Sequence, residues 1–131
     1  MEHFSSHAAQ ILLLAGLTIT FLQSGFDKIL DWKGNLSWLT GHFSKTVFKA
    51  MVPVLLGVIL FGELASGVLC AIGIYEFLYS GQSSMAFCGA VLCSITLLML
   101  LLGQRIAKDY EGAKTIVVYL ILAIFLVYIL Q

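Results

Sequence analysis

Charge is what this chain has least of. Only 11% of its 131 residues are Asp, Glu, Lys or Arg, against 60% hydrophobic, and seven basic residues balance seven acidic ones. A soluble domain of this size needs more polar surface than that to cover its core, so the composition is that of a bilayer-embedded chain. A net charge of zero offers no argument for nucleic acid as a partner. The three cysteines, Cys70, Cys88 and Cys93, form no CxxC. Cys88 and Cys93 are five apart and point to different faces of one helix, and Cys70 lies deeper than Cys88. Small buried hydrophobes are therefore expected rather than a bridge or a thiol relay. Missing too are a Gly-rich phosphate loop, an HExxH and the spacing of a catalytic triad. His3 and His7, with Glu2 nearby, would share a helix face, but two histidines in a terminal tail make a weak ligand set and no metal is expected.

What the chain has in abundance is long apolar runs, with a mean hydropathy of +1.02. An apolar helix of about 20 residues crosses the ~30 Å hydrocarbon layer. Four stretches reach or approach that length, roughly 8–30, 51–79, 84–103 and 114–131. The first has no basic residue ahead of it in MEHFSSHAAQ and no small-x-small cleavage site after it, so it reads as a retained span rather than a secretory signal. Strands would need a closed barrel of alternating residues, whereas ILLLAGL, LLGVILF and ITLLMLLL are apolar at consecutive positions. The expected fold is all-α: one integral membrane domain over residues 1–131, a four-helix bundle with lipid around it.

Lys28, Lys33, Lys45 and Lys49 flank or occupy the first connection, and Arg105, Lys108 and Lys114 the third; the other three non-spanning segments have none. The positive-inside rule then puts those two connections in the cytoplasm and both termini on the non-cytoplasmic side. The first connection, residues 31–50, interleaves Trp32, Trp38, Phe43 and Phe48 with lysines and small polar residues, the mixture of a segment lying in the interface, with a binding loop as the sharper alternative. Ser44 is expected to cap the helix that follows, and Pro53 to bend it. The third connection, GQRIAKDYEGAK, reads as a charged turn that fixes topology.

Inside the second span, FGELASG carries Glu63. At 100° per residue, Glu63, Ser66, Gly67 and Cys70 share a face; Gly16, Thr20, Gln23 and Asp27 share one on the first span, and Ala86, Gly89, Ala90 and Cys93 on the third. Small and polar residues mark helix contacts in membranes, and the fourth span, with little such face, is expected to be the most lipid-exposed. Glu63 lies about 18 Å along its helix, near mid-membrane, and Gln23 about 10 Å above the cytoplasmic end of its own. Because side chains lean toward their helix N-terminus and these two helices run oppositely, Glu63 and Gln23 are expected to converge. A carboxylate at the bilayer centre costs about 2.5–3.5 kcal/mol on insertion scales. Glu63 must therefore hold its proton or have a partner such as Gln23, Thr20 or Lys28. The candidate polar site is Glu63, Gln23, Thr20, Ser66, Cys70 and Lys28; a role in packing the bundle competes with a functional one.

The stretch AGLTITFLQSGFDKIL resembles the first-helix pattern of the DoxX-like family of small four-helix membrane proteins, a glycine and an apolar run followed by Gly-x-x-Lys, matched by Gly25 and Lys28. FGELASGVLCAIG is similar to the family's second-helix pattern, matched by Glu63 and Gly67. Many members carry an Arg near the start of the first span, where this chain has Ile11, Leu12 and Leu13, so an ion pair between such an Arg and Glu63 is not expected. The resemblance implies a multi-pass protein of the bacterial cytoplasmic membrane that is not catalytic on its own. It implies an accessory subunit of a redox complex, like that of thiosulfate:quinone oxidoreductase, with a partner subunit or a second copy beside it. A carboxyl and an amide at the depth of Glu63 and Gln23 suit hydrogen bonds to a quinone ring. The alternatives are a scaffold or assembly protein and, less favoured for want of a broken helix, a small transporter or proton path.

Overall fold

The computed structural model describes residues 2–131, with side chains described from Phe4 onward. The described residues form six α-helices and a 3-10 turn: α1 (Glu2–Ser6), α2 (Ala8–Leu30), α3 (Trp32–His42), the turn Lys49–Met51, α4 (Val52–Ser80), α5 (Ser84–Ile106) and α6 (Tyr110–Leu130). Among the described residues α2, α4, α5 and α6 are long and apolar enough to cross a membrane. At 1.5 Å per residue they measure about 32–44 Å. The fold is the expected all-α membrane bundle.

Short connections make α4, α5 and α6 run oppositely in turn, and α2 is antiparallel to α4, with Gly25 at Leu64 and Gly67 at Leu22. Gly81, in the left-handed region at φ 72°, ends α4, because a residue without Cβ turns the chain there at little steric cost. Glu76 then ties the end of α4 to the start of α5 by accepting from the Met85 backbone N–H at 3.1 Å and from Ser84 Oγ at 3.2 Å. At the opposite end Asp109 caps α6 by accepting from the Gly112 N–H at 3.0 Å, the ordinary means of satisfying an orphan N-terminal donor. The third connection is thereby only residues 107–109, shorter than the sequence suggests.

α4 sits between α2 and α5, α5 packs on α6, and α6 closes back on α2. Lipid tails are as apolar as leucine, so helices associate in a bilayer through close packing rather than through water exclusion. Gly73 shows how close: a Cβ there would stand 2.7 Å from the Cα of Ala86, so α4 and α5 touch backbone to backbone. The inner faces of α4 and α5 are those expected, with Glu63, Ser66, Gly67, Cys70, Ala86, Gly89, Ala90 and Cys93 all buried. α6 is the least buried span, and its Ile121, Phe125 and Tyr128 face outward.

α2 differs from expectation. Its buried face is Ile11, Leu14, Leu17, Phe21 and Gly25, while Gly16, Gln23 and Asp27 are exposed. Two stripes with the same three-and-four spacing compete on this helix, about 150° apart at 100° per residue. The large apolar stripe wins because it fills the core, and Gly25 lets Leu64 of α4 press against the backbone. The polar stripe needs no protein partner. Thr20 Oγ1 donates to the Gly16 carbonyl at 2.9 Å, and Gln23 and Asp27 lie in the last two turns, within reach of the interface.

The interfacial connection contains a regular helix, α3, with no buried residue. Asp31 caps it, accepting from the Gly34 N–H at 3.2 Å. Ser44 caps nothing; α4 starts eight residues later, behind Met51 and without a side-chain cap. Pro53 stands in the first turn of α4, where its missing N–H and fixed φ suit a helix start, and it does not bend the span.

Candidate intramembrane polar site

Lys28 is the third residue from the end of α2, and its side chain folds back along its own helix, donating from Nζ to Ser24 Oγ at 3.0 Å. That is the direction in which helical side chains lean. α4 runs the other way, so Glu63 leans toward Lys28. The ammonium and the carboxylate meet with Nζ 2.8 Å from Oε1, the Lys28 side chain 17% exposed and that of Glu63 3%. The approach is that of an ion pair, off the angles of a hydrogen bond. An ammonium carries three N–H donors; one is spent on Ser24 and one side of the group faces Glu63.

The convergence foreseen for Gln23 thus takes place one and a half turns lower, at Lys28. Gln23 is exposed and Thr20 is bonded to its own helix, so neither joins Glu63. Ser66 and Cys70 are fully buried on the same face of α4. The pair is also nearer one end of the bundle than counting along α4 suggests. α4 has 29 residues, about 44 Å, and its first turns extend past the end of α2 alongside α3. Eleven residues into α4 is therefore only two residues from the end of α2.

Beside this pair is a cavity of about 440 Å³ between α3, α4 and α5. Lys28 stands at its wall with Asn35 and Gln104; aromatic and aliphatic side chains, among them Trp38, Phe43, Leu56 and Met99, supply the rest. Its walls come from α2, the first connection, α4 and α5, so no single local pattern in the sequence announces it. Val58, Met99 and Leu102, also in the lining, are exposed on the outside of the bundle, which puts the opening on the lipid side of α4 and α5. Over the other side lies α3, fastened by His42, whose Nε2 is 3.0 Å from Gln104 Oε1 and 3.7 Å from Asp109 Oδ2. Trp38 stacks on the same imidazole with ring centroids 4.5 Å apart. This clasp also shows that the first and third connections, in or beside which the lysines and Arg105 lie, are at one end of the bundle.

No family model, curated protein or solved structure matches the chain.

Elsewhere, Cys70 of α4 and Cys93 of α5 face each other with Sγ atoms 3.6 Å apart, both fully buried, while Cys88 is exposed. Pairing of Cys70 with Cys93 is not visible from spacing; it depends on Gly89 admitting the Cys70 backbone at that level. Among the described residues no group of three or more His, Cys, Asp or Glu side chains could hold a metal ion. The side chains of Glu2 and His3 lie outside the described residues, and the His7 ring packs on Phe77 with centroids 4.9 Å apart.

Proposed function

We propose that this chain is an accessory subunit of a quinone-linked redox complex in a bacterial cytoplasmic membrane, without catalytic activity of its own and with both termini outside. The observation that carries the reading is the buried Lys28–Glu63 ion pair. An intramembrane ionisable residue is a functional hypothesis by default, with its partner named. Lys28 and Glu63 are the charged residues at the matched positions of the motifs that resemble the DoxX-like family, and Gly25 and Gly67 of those motifs are both buried at the α2–α4 contact. Glu63 can exchange a proton and Lys28 can present a positive charge, which are the services a bound quinone or a docked redox subunit requires. A partner subunit or a second copy of the chain completes the assembly.

A scaffold role is the second reading, favoured by the same pair seen as cement: Glu63 is satisfied inside the protein, and the close α4–α5 contact at Gly73 and Ala86 is pure packing. Transport has less support, since a single buried pair and unbroken spans lack the paired sites of a transporter. Purification of the tagged protein from its native membrane in mild detergent, followed by assay of quinone reduction, tests the proposal. A co-purifying oxidoreductase subunit with quinone-dependent turnover is expected; recovery of the chain alone, or with partners that reduce no quinone, would refute it.

A further inference from the structure

We propose that the cavity between α3, α4 and α5 is a binding site for a neutral, carbonyl-bearing ring with an apolar tail, the chemistry of a membrane quinone, seated on the Lys28 ammonium. The inference deepens the quinone-linked reading and relies on it for the choice of ring. Three observations carry it. First, the volume of about 440 Å³ falls in the range of small-molecule sites, about 300–1,000 Å³. Second, the polar groups are few and clustered. Lys28, Asn35 and Gln104 stand in a wall that is otherwise aliphatic and aromatic, the distribution that orients a largely apolar ligand. Asn35 Nδ2 is already committed to the Asp31 carbonyl at 2.8 Å and Gln104 Oε1 to His42. The ammonium, with Ser24 on one side and Glu63 on another, keeps a third N–H, and a carbonyl oxygen is the acceptor it suits.

Third, charge balance selects against ionic ligands. With Glu63 2.8 Å from Nζ the site is neutral as a unit, so an anion entering it meets the Glu63 carboxylate behind the ammonium and a cation meets the ammonium first. A neutral acceptor meets neither penalty. The opening at Val58, Met99 and Leu102 faces lipid, so the tail can remain in the bilayer while the ring occupies the cavity. Trp38, with one face stacked on His42, and the rings of Phe43 and Phe48 supply aromatic surface in the wall for a flat ring.

The chain has two tryptophans, and Trp38 lines the cavity while Trp32 does not. The full-length Trp32→Phe protein in nanodiscs of neutral phospholipid therefore reports on the site through one fluorophore. Titration with a short-tailed benzoquinone should quench Trp38 saturably at one ring per chain. In the same background Lys28→Met together with Glu63→Gln, which removes both charges and leaves neither buried alone, should weaken binding about tenfold, the scale of one hydrogen bond from a charged donor. Val58→Phe, at an exposed position, should weaken it by obstruction with the pair intact. Quenching that rises linearly with quinone in the bilayer, or that is the same in all three proteins, would overturn the proposal. So would protection of Trp38 by anionic phospholipid with no saturable quinone effect. The two proposals fail separately: saturable binding by a chain that purifies with no redox partner overturns the subunit reading alone, and a quinone-linked complex whose Trp38 shows no saturable quenching overturns the site alone.

Discussion

Removing the Lys28–Glu63 pair one partner at a time and then together should yield markedly non-additive effects on stability. At 2.8 Å two unit charges attract by about 6 kcal/mol at an effective dielectric constant of about 20. Desolvation of both groups offsets most of that, and partial exposure of Lys28, at 17%, screens it further. Lys28→Met strands a carboxylate that is 3% exposed, and breaking a buried pair in this way costs about 3–5 kcal/mol. Partial exposure at the Lys28 end of the pair lets solvent approach the carboxylate in the variant and lowers the cost, so about 2–3 kcal/mol is expected. Glu63→Gln leaves Lys28 bonded to Ser24 and free to reach the interface, for about 1–2 kcal/mol. The double variant loses attraction and desolvation penalty together and should be no worse than the worse single one. The cycle therefore predicts a coupling energy of about 1–2 kcal/mol, measured by thermal or denaturant unfolding in a fixed detergent. Additivity within about 0.5 kcal/mol would refute the reasoning.

Gly73→Leu should destabilise the bundle by about 1–3 kcal/mol or more in the same assay, because its Cβ alone would meet Ala86 at backbone distance, whereas Gly16→Ala, with nothing within 4 Å of the new Cβ, should be neutral. Treatment of membranes with copper phenanthroline should join Cys70 to Cys93, since their sulfur atoms are 3.6 Å apart; mass spectrometry should find the bridge in Cys88→Ser and not in Cys70→Ser. Impermeant thiol labelling of a cysteine placed at Gln82 should succeed from outside intact cells and one placed at Lys108 should not, as the distribution of basic residues requires.

The spans were readable because the bilayer imposes a length and an apolarity that few other constraints mimic. The inner faces of α4 and α5 were readable because small residues recur there at helical spacing. α2 was ambiguous in the physical sense that two stripes about 150° apart at 100° per residue each satisfied the rule for a packing face. The choice between them rests on Leu64 seating against Gly25 and on Lys28 reaching Glu63, both contacts between residues far apart in sequence. Lys28 stood among the candidate partners of Glu63, beside Gln23 and Thr20, and is the one that meets it. The lean of the side chains predicts that Gln23 meets Glu63; Gln23 is exposed and Lys28 takes its place, because the first turns of α4 run past the end of α2 alongside α3, which cannot be seen without the packing of α3. For the same reason the cavity, assembled from residues between 28 and 104, left no trace in any local pattern.

The most direct measurement is quinone-linked electron transfer in native membranes carrying Glu63→Gln, with assembly of the complex followed on a native gel. Gln keeps the volume of Glu63 and its capacity to hydrogen-bond while removing the charge and the exchangeable proton. Turnover reduced about tenfold or more in a fully assembled complex is the predicted result; full turnover with normal assembly would contradict the account and leave the pair as cement between α2 and α4.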